Sequence, residues 1–198
     1  MIKILPTEWF EILYDDGKCP YFHTSGLSTT LLDLKVLRAL CLHSQAKNVL
    51  EFGVRFGHTA NFLLSQSSYI QKYIGIDVPP DFKTTKQSQQ SEVPNVIGSV
   101  CKDHRYQSVI LKNGTKDLEE NPFIFGCSFD FIFVDADHSM DGISRDTKIA
   151  EKLINPNGII VWHDFSNEED VTSFLNNKSL SDDKITYVVN SLCCFKHY

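Results

Sequence analysis

The sequence predicts an α/β protein built on a doubly wound, mostly parallel sheet of seven strands, the last antiparallel. Three observations carry this. Short apolar runs alternate with helix-like stretches from residue 29 onward. The runs hold consecutive large apolar side chains rather than an in–out alternation, as strands covered on both faces do. The last two strand-like segments, KITYVVN (184–190) and LCCFKHY (192–198), are almost contiguous, so they read as a hairpin at one sheet edge.

The elements follow in order. TTLLDLKVLRALCLH (29–43) repeats Leu31, Leu34, Leu37 or Arg38, and Cys41 at helical spacing. KNVLEFG (47–53) is the first strand of the sheet, and HTANFLLSQ (58–66) a helix that opens at the cap-capable Thr59. KYIGID (72–77) and SVILKNG (108–114) supply strands two and three, and FDFIFVDAD (129–137) strand four. SMDGISRDTKIAEKLI (139–154) is a helix with Ser139 as N-cap and Asp141 in its first turn, where a negative charge meets the helix dipole. It presents Ile143, Ile149 or Ala150, and Leu153 on one side; Arg145 and Asp146 are assigned to a solvated face. Asn155-Pro156-Asn157-Gly158 is a stop and turn before strand five, GIIVWHD (158–164), whose Trp162 reads as core. EEDVTSFLNN (168–177) is the last helix. Two segments stand apart. Residues 1–28 form an aromatic N-terminal extension (Trp9, Phe10, Tyr14, Tyr21, Phe22), and the polar, Pro-bounded 79–95 is either a solvated connection or a lid over a site.

Composition excludes several classes. The chain has 198 residues, enough for one domain, with 42% hydrophobic residues to build a core. Its net charge of −6 and lack of any Lys/Arg cluster argue against a nucleic-acid partner. No apolar run approaches the roughly 18 residues of a membrane span, and MIKILPTEWF lacks a signal-peptide core. The six cysteines show no paired CxxC spacing, which reads as reduced thiols in a cytoplasmic protein, with a homo-oligomer left open.

The strand ends carry the chemistry. VLEFGVRFGHT sets Glu51, Gly53 and Gly57 at a strand-to-helix turn, with Thr59 opening the helix. Glycine there permits a sharp bend and close approach of a ligand. The spacing E-x-G-x-x-x-G differs from the G-x-G-x-x-G that places a pyrophosphate on a helix N-terminus. A carboxylate at Glu51 suits a ligand with a cationic centre and no phosphate; the bland alternative is a turn glycine beside a surface Glu. Asp77, at the tip of strand two, stands where a carboxylate can hold a ribose diol; the bland alternative is a capping Asp without a ligand. In Asn113-Gly114-Thr115, backbone and Thr115 offer a rest for a planar ring. Strand four ends abruptly in Asp135-Ala-Asp137-His138, and strand five in His163-Asp164. On neighbouring parallel strands, Asp135, His163 and Asp164 converge as three candidate ligands for a divalent metal; carboxylates favour Mg or Mn, and an imidazole shifts preference toward Mn, Fe or Zn. Such an ion would grip a substrate diol and acidify its hydroxyl. His138 titrates near neutrality and can accept a hydroxyl proton, or it is a polar helix-cap residue. Asp137 orients His138 or caps the helix.

LEFGVRFGHT, YIGID, the NGT turn, FDFIFVDADH and NPNGIIVWHDF, in this order, resemble a class I S-adenosylmethionine-dependent methyltransferase from about residue 25 onward. Within that superfamily the chain is similar to small metal-dependent O-methyltransferases, including those acting on macrolide sugars. The resemblance implies a Rossmann-like sheet of order 3-2-1-4-5-7-6, an extension over 1–28 and a methyltransferase domain over 29–198. It implies S-adenosylmethionine bound by Glu51, Gly53, Gly57, Thr59, Asp77, Gly114, Thr115 and Asp135, and a small hydroxylated acceptor. Asp135, His163 and Asp164 stand at the metal-ligand positions, and Asp135 and His138 at the catalytic ones, His138 as general base. The chain departs at His163, where those relatives usually carry a carboxylate. The alternative is a non-catalytic or differently reacting nucleotide-binding protein on the same sheet.

Overall fold

In the computed structural model, residues 1–14, 29–84, 93–182 and 184–198 are described. Eight strands form one sheet: β1 (Lys3–Leu5), β2 (Asn48–Phe52), β3 (Lys72–Asp77), β4 (Tyr106–Ile110), β5 (Phe129–Val134), β6 (Ile154–Trp162), β7 (Thr186–Val188) and β8 (Cys194–His197). Their order across the sheet is β1-β7-β8-β6-β5-β2-β3-β4. Without β1, this is the expected 3-2-1-4-5-7-6 arrangement. β8 alone runs antiparallel, to both β6 and β7.

The helices are α1 (Thr7–Tyr14), α2 (Leu31–His43), α3 (His58–Gln66), α4 (Met140–Leu153) and α5 (Glu169–Ser181). The continuous apolar runs explain the layering. Successive strand residues point to opposite faces, so Val49, Tyr73, Phe131, Phe133 and Val161 join one core with α2 and α3. Leu50, Phe52, Ile74, Ile132, Val134, Ile160 and Trp162 join a second core with α4 and α5. Trp162 is fully buried and donates its indole N–H to Thr147 on α4, 2.9 Å away. The strand ends are thereby clamped between two helical layers, and the loops after β2, β3, β5 and β6 emerge on one rim.

Four readings change. The N-terminal residues continue the sheet: β1 pairs in parallel with β7, and Phe10 of α1 is buried in the first core. The β7–β8 hairpin is therefore internal, and β1 is the edge. α3 does not open at Thr59. Its N-cap is Gly57, in the left-handed region at φ 84°, and Thr59 lies inside the first turn. Asn155–Gly158 ends α4 without leaving the sheet. Ile154 pairs with Phe129 and Ile159 with Phe131, so residues 155–158 bulge out of β6, with Asn157 at φ 66°. A bulge accommodates the missing N–H of Pro156. Arg145 and Asp146 are not a solvated face: Asp146 is fully buried and the Arg145 side chain is 12% exposed. Ser139 does cap α4, accepting from the Gly142 N–H at 3.1 Å. The portions of the extension and of the polar segment at 15–28 (with Cys19, Tyr21 and Phe22) and 85–92 lie outside the described residues.

Candidate functional site

One cavity of about 340 Å³ opens on the rim formed by the C-terminal ends of β2, β3, β5 and β6. Of the residues singled out in the sequence, Glu51, Gly53, Thr59, Asp77, Gly114, Thr115, Asp135, His138 and Asp164 line it. Gly57 and His163 do not. Six carboxylates line the cavity (Glu51, Asp77, Asp135, Asp137, Asp164, Glu168) against three Lys/Arg side chains (Arg55, Lys116, Arg145), a balance that favours a cationic ligand.

Gly53 sets the geometry. It sits at φ 84°, and a Cβ there would lie 2.0 Å from the Asp135 carbonyl oxygen. The tips of β2 and β5 touch backbone to backbone, which brings Glu51 and Asp135 into one wall. Glu51 is buried and accepts from the Tyr73 hydroxyl at 2.9 Å. Burial pushes its carboxyl well above the usual range; the Tyr73 hydrogen bond opposes this, while the charges of Asp135 and Asp77 reinforce it. Asp77 accepts from the backbone N–H groups of Arg55 (2.6 Å) and Val78 (2.7 Å). Burial raises its carboxyl as well, against the pull of those amides.

Beside Asp135 the same wall continues in further acids and imidazoles. His138 Nε2 stands 3.2 Å from Asp164 Oδ2 and 3.5 Å from Asp135 Oδ1, yet completes no hydrogen bond. One donor atom each from Asp135, His138 and Asp164 falls within 4.8 Å of the others. Burial pulls the His138 imidazole down, but Asp135, Asp164 and Glu168 more than offset it, so it titrates above its ordinary value. For Asp135, burial raises the carboxyl, but the charges and close approach of His163 and His138 outweigh it, so it stays ionised far below the usual range. Asp164 adopts φ 60°, uncommon for a non-glycine residue, and its Oδ1 accepts from Asn167 Nδ2 at 2.9 Å. Strained backbone of this kind gathers at functional sites.

His163 lies behind this wall. Its Nδ1 is 3.2 Å from Asp135 Oδ1 and 3.3 Å from Asp164 Oδ2, and its Nε2 is 3.4 Å from Asp33 Oδ2. Burial lowers its pKa, but the surrounding carboxylates raise it well above the ordinary imidazole value. An imidazole facing carboxylates through both nitrogens is a counter-ion, not an open ligand. The donor set facing the cavity is therefore Asp135, His138 and Asp164, with His138 in the place expected of His163. Asp137 Oδ1 accepts from the Ser139 N–H at 3.0 Å, and its Oδ2 lies 3.4 Å from Arg145 Nη2.

Asp33 escaped the sequence reading. It is fully buried, completes a capping box with Thr30, and accepts from the Leu192 N–H at 2.7 Å while facing His163. Thr30-x-x-Asp33 was visible as a capping pattern; its partner more than a hundred residues away was not. Asp146 was also missed. Burial raises its carboxyl to about 7, against the Thr115 hydrogen bond and the Arg145 charge, with Asp137 reinforcing the rise.

Comparison with known proteins gives a consistent picture. The profile of a family described as a methyltransferase domain matches residues 50–165. Among proteins of curated function, none matches the chain. Many solved structures share its fold, among them the following three. The O-methyltransferase TomG of Streptomyces achromogenes, involved in tomaymycin synthesis and solved with S-adenosylmethionine, is 17% identical (TM-score 0.59; 96% of this chain, 92% of that one). A putative caffeoyl-CoA O-methyltransferase from Staphylococcus aureus is 15% identical (TM-score 0.61; 96% and 88%). An O-methyltransferase from Bacillus cereus, solved with S-adenosylhomocysteine, is 16% identical (TM-score 0.54; 96% and 88%).

Proposed function

Since the chain belongs to the methyltransferase-domain family, we propose that it is an S-adenosylmethionine-dependent O-methyltransferase acting on a hydroxyl of a small molecule. The observation that carries this reading is the shared cavity in which Glu51, Asp77, Thr115, Asp135 and His138 meet. Asp77 accepts from the ribose diol, Glu51 faces the cationic end of the donor, and Gly114 and Thr115 border the adenine. That leaves Asp135, His138 and Asp164 for the acceptor. The complexes of two fold relatives, TomG with S-adenosylmethionine and the Bacillus cereus enzyme with S-adenosylhomocysteine, support the choice of cofactor.

The reaction is an in-line displacement. The acceptor oxygen attacks the methyl carbon, the carbon–sulfur bond breaks, and its electron pair stays on sulfur as S-adenosylhomocysteine. The hydroxyl proton passes to His138 Nε2, which completes no hydrogen bond and so has room for one. Asp135 and Asp164 stabilise the imidazolium that forms. The protein supplies orientation and a site shielded from water rather than new bonds.

A divalent ion fits the same wall. The buried, unpartnered His138 nitrogen between two carboxylates is a two-carboxylate, one-imidazole donor set suited to Mn, Fe or Zn as much as to Mg. Bound there, it would acidify the acceptor hydroxyl, a task otherwise left to His138. The five described cysteines are unpaired thiols, in accord with a cytoplasmic enzyme.

Calorimetric titration with S-adenosylhomocysteine tests the reading: saturable binding by the wild type, lost in Asp77→Ala, is expected, and no binding at millimolar ligand refutes it. With an acceptor in hand, His138→Ala is expected to lower kcat by about 10²–10⁴. Because His138 accepts a proton only when neutral, the wild-type rate should rise with pH through a value above that of an ordinary imidazole. Titration with Mn²⁺ alone distinguishes the two uses of His138, since only the metal reading expects heat that His138→Ala abolishes.

A further inference from the structure

Behind the cavity, the 3-10 turn Gly114–Leu118 is tied to α4 by a chain of polar groups that the proposed chemistry does not use. Arg145 Nε donates to Thr115 Oγ1 at 2.9 Å, and the Thr115 hydroxyl donates in turn to Asp146 Oδ1. Arg145 Nη2 reaches Asp137 Oδ2 at 3.4 Å, in the loop that carries Asp135 and His138. Asp137 is packed so closely on α4 that a Cβ at Gly142 would meet its carboxyl carbon at 2.3 Å. All four residues sit around the first two turns of one helix. Thr115, Arg145 and Asp137 line the cavity, and Asp146 is fully buried beneath them.

Burying a carboxyl without a full set of partners costs free energy. Asp146 Oδ2 completes no hydrogen bond, so the fold bears this group at a cost in stability. Its hydrogen-bond partners are the Asp137 backbone and the Thr115 hydroxyl, the latter at the turn where the donor's ring is expected. We propose that Asp146, with Arg145, is a positioning residue: it fixes the orientation of the Thr115 hydroxyl and so holds the adenine-binding turn in register with the Asp135–His138 loop. This rests on the S-adenosylmethionine reading above and deepens it. With Thr115 accepting from Arg145 and donating to Asp146, its hydroxyl has a single direction, and the turn is pre-organised before the donor arrives.

The charged groups facing Asp146 are Arg145 from its own helix and Asp137 from the loop after β5; the turn presents the Thr115 hydroxyl. The Asp146 carboxyl, raised to about 7, is a neutral acid below that pH and a carboxylate above it. A carboxylate accepts more strongly than an acid, so the clamp, and donor affinity with it, tightens as pH rises through 7. Stability moves the opposite way. The unfolded chain releases this proton near ~3.9, while the folded chain keeps it up to about 7. Ionisation therefore costs stability as pH climbs between those values, and the whole cost is present above 7.

The test measures S-adenosylhomocysteine affinity and thermal stability at pH 6 and pH 8.5 for wild type, Asp146→Asn, Thr115→Val and Thr115→Ser. Expected are a wild-type affinity higher at pH 8.5, a roughly tenfold loss in Thr115→Val from the lost charge-assisted hydrogen bond, and rescue by Thr115→Ser. Asp146→Asn should show a smaller rise in affinity between pH 6 and pH 8.5 than wild type, keeping only the part that Glu51 contributes, while gaining stability over wild type at pH 8.5. A structural role alone would move affinity and stability together. If Thr115→Val does not fold, Asp146→Asn carries the test, because it keeps the shape of the side chain. Wild-type binding with affinity unchanged in Asp146→Asn and Thr115→Val overturns the positioning role alone. Failure of the wild type to bind overturns the cofactor reading, and this proposal with it.

Discussion

Replacing Gly53 with alanine probes the contact that makes the site. Gly53 sits at φ 84°, and the added Cβ would meet the Asp135 carbonyl oxygen at 2.0 Å, its carbonyl carbon at 2.7 Å and the Ala136 Cα at 2.8 Å. All three are backbone atoms in or beside a buried strand tip, so none can swing away. Left-handed backbone costs a non-glycine residue about 1–2 kcal/mol. Overpacking against a rigid neighbour adds about 1–3 kcal/mol. Together these give about 2–5 kcal/mol of destabilisation, or a fall in Tm of about 4–20 °C for a domain of this size. Gly126 supplies the control: at φ 67° its Cβ would meet nothing within 4 Å, so Gly126→Ala isolates the backbone contribution of about 1–2 kcal/mol. Urea denaturation of both variants, with S-adenosylhomocysteine affinity measured alongside, reads the difference. Gly53→Ala should also lose donor affinity, because relief of the collision moves Asp135. Equal destabilisation in the two variants, with affinity intact, would refute the backbone contact between β2 and β5.

Two further outcomes follow from the buried carboxylates. Burial holds the Glu51 carboxyl well above its usual range, and only its ionised form attracts a cationic donor, so binding should release a proton and affinity should fall as pH drops through that raised value. Calorimetry in buffers of different ionisation enthalpy detects the proton, and Glu51→Gln should abolish the buffer dependence. Asp33→Ala removes the counter-ion behind His163 together with the α2 capping box, and should destabilise the fold by about 3–5 kcal/mol in urea; a loss below about 1 kcal/mol would mean that His163 is held by Asp135 and Asp164 alone.

Much of the architecture could be read from the chain. The unbroken runs FDFIFV and GIIVW read as strands covered on both faces, and the family resemblance implied the order that seven of the eight strands take. β1 escaped because three residues, the first two exposed and the third half-buried, carry too little periodicity to mark a strand. Asp135, His138 and Asp164 were legible because polar groups that end an apolar run must lie at its tip. His163 was placed on that tip as well, but the alternation of side chains along β6 turns it toward Asp33 and the α2 side. Asp146 did have a signal: it lies three residues after Ile143 and four before Ala150, on the very stripe that faces the core. Charge alone put it on the outer face, and its stripe position was the better guide. Nothing local announced the partners of Asp33 and Thr115, which come from distant parts of the chain.

The most direct test is a crystal structure of the protein with S-adenosylhomocysteine. The ribose hydroxyls should lie within hydrogen-bond distance of the Asp77 carboxylate, the adenine against Gly114 and Thr115, and the sulfur turned toward Asp135 and His138. Ligand density away from Asp77, or a sulfur directed away from His138, would contradict the account.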